Sequence, residues 1–273
     1  MPEDNSKWLY DPSKTRTCTD ALFRFITEYG KIVDLFMFTV TAASKMDEMQ
    51  AIASRALADE SERKRPIEEF NKSSASKHVR EFAHQLSRNL VTSMANNFHC
   101  YLSEALQEVM LKKHEVLKSN ERITTEEILQ FTRMKDVRSF LADRKVSELS
   151  YGGLRQARDF LSERLGVEMF ATDEQERLLT IFVELRNIHT HNRGIINQLF
   201  LNRAGDIKHK DFKFKIGDLY HVDLDEFVLL SRNCIDVALG LDEKIAEKFK
   251  LNRKLYKHRT SKLTPRPTTP VVS

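Results

Sequence analysis

Glycine and proline are scarce in this chain, at 8 and 6 of 273 residues. With so few residues suited to tight turns and breaks, a sheet-rich sandwich is disfavoured and helices are favoured. Tryptophan occurs once, at Trp8, inside a polar lead running to about residue 17. Cysteine is limited to Cys18, Cys100 and Cys234, far apart and without paired spacing. That pattern points away from zinc sites and disulfide frameworks and toward a reduced, cytoplasmic protein. Long apolar runs are absent too. The most apolar stretch, Leu35 to Val40, is too short to span a bilayer, and Arg24, Glu28, Lys31 and Asp34 precede it at helical spacing. No secretory pattern opens the sequence. No membrane partner is expected.

What is present suits a helical protein. A hydrophobic fraction of 41% is enough for a real core, and a charged fraction of 31% for a helical surface. The net charge of +4 is uneven: Lys248, Lys250, Arg253, Lys254, Lys257, Arg259, Lys262 and Arg266 carry no acid between them. The rest of the chain is therefore net negative. Such an arm can neutralise RNA phosphates, which would make binding salt-dependent. It can equally be a solvated helix end, since Thr264 to Pro270 cannot continue a helix. Residues 251–273 are read as a basic tail without regular structure.

Apolar periodicity predicts the helices. Thr19-Asp20 caps one running through Phe23, Ile26, Ile32, Leu35, Phe36 and Val40, and a second stretch covers Met46 to Leu57. The charge run Asp59 to Arg65, Pro66 and Ser73 to Ser76 mark either a linker or one exposed inter-helix loop. This sets an N-terminal helical region at 1–72 and a helical domain at 77–250. In the latter, a long helix from Lys77 to about Leu117 presents Phe82, Leu86, Leu90, Met94, Phe98, Tyr101, Leu102, Leu106, Val109 and Met110 at core spacing. Shorter helices follow at Ile123 to Ile128, Val137 to Leu149 and Leu154 to Leu165, broken at Tyr151-Gly152-Gly153 and ended by Gly166. Phe212 to Ile216 alternates with a period of two, and Gly217-Asp218 turns it toward Leu219 to Val222. A small β-hairpin is predicted there, before a last helix capped by Asp223 and Glu226.

The segment Glu184 to Gly194 carries the chemistry. Its helix opens at Thr172-Asp173-Glu174-Gln175, a capping box with acids in the first turn. Leu178, Ile181, Phe182, Leu185 and Ile188 form one buried stripe, and Gly194 suits a left-handed helix end. Arg186, Asn187, His189, Thr190 and His191 then occupy the last turns. Each has an ordinary use: Arg186 in a surface ion pair, His191 at the negative end of the dipole, Asn187 and Asn192 as caps. Asn187 and His191 share a face. Arg186 lies about 140° from His191 on a regular helix. They can meet on one phosphate only if the helix distorts or two copies pool their residues.

The pattern Arg186-Asn187, three residues, His191-Asn192, then Gly194-Ile195-Ile196-Asn197 resembles the signature of the HEPN superfamily, many of whose members are RNA-cleaving toxins and defence nucleases. Phe98-His99-Cys100-Tyr101-Leu102 is similar to the aromatic-acid-x-Tyr-Leu stretch of related proteins, with His99 where many relatives carry an acid. The resemblance runs from about Glu81 to Lys248. It implies an all-α, HEPN-type helical bundle with an N-terminal helical extension, and a homodimer that builds its cleft between two copies.

It also implies a metal-independent endoribonuclease that needs no cofactor. The 2′-hydroxyl of RNA would attack its own phosphorus, giving a 2′,3′-cyclic phosphate and a 5′-hydroxyl end. His191 would move protons, Arg186 hold the phosphate and Asn187 position it, assisted by His189, Thr190 or His99. Arg193, Lys254, Lys257 and Arg259 would contact the RNA strand. A metal at His189 and His191 is not expected, because helical ligands favour a spacing of three or four. The protein would be a toxin or an anti-phage defence effector. The alternative is an inactive subunit that binds RNA, an antitoxin or a defence complex, consistent with His99 in place of an acid.

Overall fold

The computed structural model describes residues 16–67, 75–118, 123–204 and 212–256. Over these the chain is all-α, with one short antiparallel strand pair. The helices are α1 (Asp20–Leu57), α2 (Ala75–Glu81), α3 (Ala83–Lys112), α4 (Thr125–Leu129), α5 (Met134–Leu165), α6 (Asp173–His191), α7 (Gln198–Ala204) and α8 (Leu224–Phe249).

The caps form where the side chains dictate. Thr19 accepts from the Leu22 amide and donates to Asp242 of α8, tying the start of α1 to the last helix. Asp223 and Glu226 close a reciprocal box on α8, as Thr124 and Glu127 do on α4. On α6, Thr172 accepts from the Gln175 amide while Gln175 Oε1 reaches one residue further back, to the Ala171 amide at 2.8 Å. Gly166 ends α5 in the left-handed region, and Gly153 (φ 76°, ψ −172°) breaks that helix internally at the expected place. Only glycine takes that conformation without strain.

α7 has no counterpart in the predicted helices, and two helix divisions differ from the periodicity. α1 is continuous through residues 41–45, since nothing there breaks a helix. The helix predicted from Lys77 instead bends at Phe82 (φ −95°, ψ 10°), dividing α2 from α3 and leaving Phe82 exposed.

One hydrophobic core gathers α1, α3, α5, α6 and α8. The first turns of α1 contribute Leu22, Phe25, Ile26 and Tyr29, so the helix that opens the 1–72 region shares its buried face with the 77–250 region. Phe98 and Tyr101 are fully buried against Phe25, and the Tyr101 hydroxyl donates to the Ala238 carbonyl at 2.9 Å. The Asn97 amide donates to the Phe25 carbonyl, also at 2.9 Å. Ile32, Val33 and Phe36 still pack against the edge of the core, and beyond Phe36 α1 leaves it. Buried Asp47 accepts from the Ala75 and Ser76 amides at the start of α2, while Leu35, Phe38, Met46, Met49 and Leu57 stay exposed.

The strand pairing lies elsewhere than predicted. Among the described residues, no strand forms over 212–222. Residues 217–220 pair instead with the turn after α6: Ile196 N–H donates to Asp218 O, Gly217 N–H to Ile196 O, and Tyr220 N–H to Gly194 O. Phe214 turns its ring against Phe200 and Tyr220. The two strands are β1 (Arg16–Cys18) and β2 (Lys254–Tyr256), antiparallel, with Arg16 opposite Tyr256. Tyr256 stacks on Phe23 with ring centroids 3.7 Å apart, and both its hydroxyl and Lys254 Nζ engage Asp20. The reading of 251–273 as an unstructured tail is thus corrected up to Tyr256; residues 257–273 lie outside the described residues.

Candidate functional site

The apolar stripe of α6 is buried as predicted: Leu178, Ile181, Phe182, Leu185 and Ile188 all lie in the core. Burying each such side chain contributes about 1.5–3 kcal/mol. This anchors the last turns of the helix, where the candidate residues sit, against α3 and α8. α6 stays regular to His191, with Asn192 as its C-cap. Arg193 takes a left-handed conformation (φ 53°), and Gly194 follows at φ 85°.

Arg186 is half-buried and turned toward α3. Its Nε donates to Asn96 Oδ1 at 2.8 Å, and its Nη1 to Asn187 Oδ1 at 3.0 Å. Asn187 in turn donates to Glu184, whose carboxylate lies 3.7 Å from Arg203 of α7. Burial pushes the Glu184 carboxyl up, against the pull of Asn187 and Arg203. His99 stands one turn beyond Asn96 on α3. Burial, and then the Arg186 guanidinium, lower its pKa to about 4, so it is neutral at pH 7. A chain of polar contacts therefore fixes Arg186 between two amide side chains, near a neutral imidazole.

His191 is placed differently. It ends α6 on the surface and makes no hydrogen bond or ion pair among the described residues. No such contact joins it to Arg186. With the helix undistorted, the two groups do not converge within one copy. Thr190 is exposed, its hydroxyl bonded to the Arg186 carbonyl at 2.8 Å. Arg193 is exposed. Lys254 is held in its ion pair with Asp20 at 3.1 Å, whereas Lys257 and Arg259 lie outside the described residues.

His189 has no exposed surface, and both of its ring nitrogens lack a hydrogen-bond partner. A Cβ at Gly194 would meet its Nδ1 at 2.9 Å, so the glycine is what lets the backbone close over the ring. The His84 ring lies 6.0 Å away, centroid to centroid, and His84 contacts His221 through their Nδ1 atoms. Burial, then His84, Arg88 and His221, lower the His189 pKa to about 4. His84 is lowered by burial and by the same neighbours. Among the described residues, no group of His, Cys, Asp or Glu has the geometry to hold a metal ion.

Sequence reasoning missed His84, Arg88, Asn96 and His221. A signal for three of them was available: His84, Arg88, Thr92 and Asn96 recur every four residues, and His99 follows three later. This polar stripe runs along the α3 face that meets α6. The aromatic periodicity of the same helix drew attention to the core instead. His221 had no local signal, because only the 217–220 pairing brings it over α3. No protein-family profile, curated protein or solved structure matches the chain. No helix among the described residues is long and apolar enough to cross a membrane.

Proposed function

We propose that the protein is a metal-independent endoribonuclease of the HEPN kind, acting as a cytoplasmic homodimer in a toxin or defence role. The observation that carries this reading is Arg186, a guanidinium held by Asn96 and Asn187 at the end of α6 and flanked by neutral His99. Holding the group in place before substrate arrives is what charge stabilisation in a transition state requires. The guanidinium binds two oxygens of the scissile phosphate in a fork. His191 of the second copy serves the proton transfers, since neither distortion of α6 nor any contact brings the two together in one chain. His99 stands where many HEPN nucleases carry an acid, and its neutral ring brings hydrogen-bonding groups rather than a negative charge to the neighbourhood of the phosphate.

The test is cleavage of single-stranded RNA by purified protein in EDTA. Arg186→Ala should lower the rate by about 10²–10³-fold and His191→Ala by about 10²–10⁴-fold, with both variants folded. Mixing the two inactive variants should restore part of the activity, because a mixed dimer keeps one intact site. Loss of wild-type activity in EDTA, or normal cutting by His191→Ala, would overturn the assignment.

A second reading has its own support. Leu35, Phe38, Met46, Met49 and Leu57 lie exposed along one uncharged face of α1. A subunit that docks into a larger complex through that helix would present such a face. Co-purification of a stoichiometric partner, lost on Phe38→Glu and Met46→Glu substitution, would favour this reading, the more so if purified protein leaves RNA intact.

A further inference from the structure

His84, Arg88, His189 and His221 converge from three segments: the start of α3, the end of α6 and the loop before α8. His84 touches His221, His84 and His189 lie 6.0 Å apart, and Arg88 follows His84 by one helical turn. Two properties set the cluster apart. First, all the charged groups acting on His189 and His84 are other histidines and Arg88; no carboxylate is among them. Arg88 makes no ion pair among the described residues. Second, His189 is fully buried with neither ring nitrogen paired. A neutral imidazole carries one N–H, and burying it unpaired costs about 1–3 kcal/mol. A cluster of donors that repel one another when charged, with one buried donor lacking an acceptor, is electrostatically incomplete.

We propose that His84, Arg88, His189 and His221 form a phosphate-binding site. A phosphate supplies what the cluster lacks: negative charge for the guanidinium and imidazoles, and acceptor oxygens for their N–H groups. His84 is half-buried and His221 exposed, so the cluster meets solvent at these two side chains, with His189 buried beside them and its ring 6.0 Å from that of His84. The acids that follow His221 in the chain are engaged at the start of α8, where Asp223 accepts from the Glu226 amide and Glu226 from the Tyr220 hydroxyl. Arg88 and Asn96 lie eight residues apart on the same helix, about 12 Å along its axis. The phosphate can therefore belong to a nucleic acid whose chain continues to Arg186, or be a free ion. The proposal does not depend on RNA being cleaved.

The experiment follows the imidazole Cε1–H resonances of the full-length protein during titration with inorganic phosphate. It is repeated with a short single-stranded RNA bearing either a 5′-phosphate or a 5′-hydroxyl. Resonances of His84, His189 and His221 should shift with phosphate, and Arg88→Gln should weaken binding by about 10- to 100-fold. His84→Gln, at the half-buried position, is the second variant and should weaken it too, with the fold checked by circular dichroism. A response to both RNAs and not to the free ion assigns the site to backbone phosphates. A response confined to the 5′-phosphate RNA assigns it to the chain end. No shift with any probe, or unchanged affinity in both variants, overturns the proposal. So does saturation of the cluster by zinc(II) with no response to phosphate. Cleavage by wild-type protein that shows no phosphate response would leave the Arg186 reading standing and remove this one.

Discussion

His189 and His191 are two residues apart on one helix and meet opposite surroundings, one sealed beneath a loop and the other on the surface. Their substitutions should differ accordingly. His191→Ala should leave the melting temperature unchanged, whereas His189→Ala opens a cavity under Gly194. After relief of the unpaired N–H, its net cost should be roughly 1–3 kcal/mol in denaturant unfolding. Gly194→Ala should cost a similar amount, about 1–3 kcal/mol, because it combines a positive φ with a clash against the same ring. The histidines also set a pH dependence. His99 and His189 bind protons only near pH 4 when folded, against an ordinary value of 6.5. Between these limits the unfolded chain binds more protons, so stability falls as pH drops from about 6.5 toward 4 and is level above that window. Denaturation midpoints at pH 7 and pH 4.5 should show the fall, and His99→Gln should reduce it. An unchanged slope in His99→Gln would remove His99 from the account.

At the scale of elements, the sequence was most legible where local chemistry decides. Thr19, Thr172, Asp223, Gly153 and Gly166 each act where a cap or a break was expected, and the α6 stripe is buried residue for residue. It was least legible where the partner of a segment is distant in the chain. Phe212 to Ile216 has a strand's alternation, but its neighbours beyond Gly217 pair with the turn after α6. Nothing in Lys254 to Tyr256 announces that Arg16 to Cys18 will lie beside it. Arg186, Asn187 and His191 could be picked out as candidates from their residue types and the resemblance of their pattern; that Arg186 rests on Asn96, near His99, could not, because helix crossing is set by the whole core. The β1–β2 pair gives a test of its own. A chain ending at Leu251 loses the Tyr256–Phe23 stack and the Asp20 contacts and should melt at a lower temperature. A chain ending at Tyr256 should melt as the full-length protein does. RNA binding by that second chain should show a flatter salt dependence, each lost phosphate contact removing about 0.7 from the slope. An unchanged slope would leave the residues beyond Tyr256 as a solvated arm.

At the scale of the molecule, the proposed function together with a regular α6 calls for two chains at one site. Scattering at micromolar concentration should return the mass of a dimer; a monomer that still cuts RNA would mean that His191 is not the proton-transfer group. A different consequence follows from the strand pair that joins the two far ends of the described fold. Arg16 and Tyr256 are direct partners across an antiparallel ladder, where facing Cα atoms lie about 4.5–5.5 Å apart. The path of the backbone is thus very nearly a closed loop. A few glycines and serines joining residue 256 to residue 16, with the chain reopened in the exposed turn at Asp59 to Ser61, would give a circular permutant whose new ends lie in the turn after α1. Such a rearranged gene product should keep the Arg186 surroundings intact, and the linker would tie the two strands together covalently.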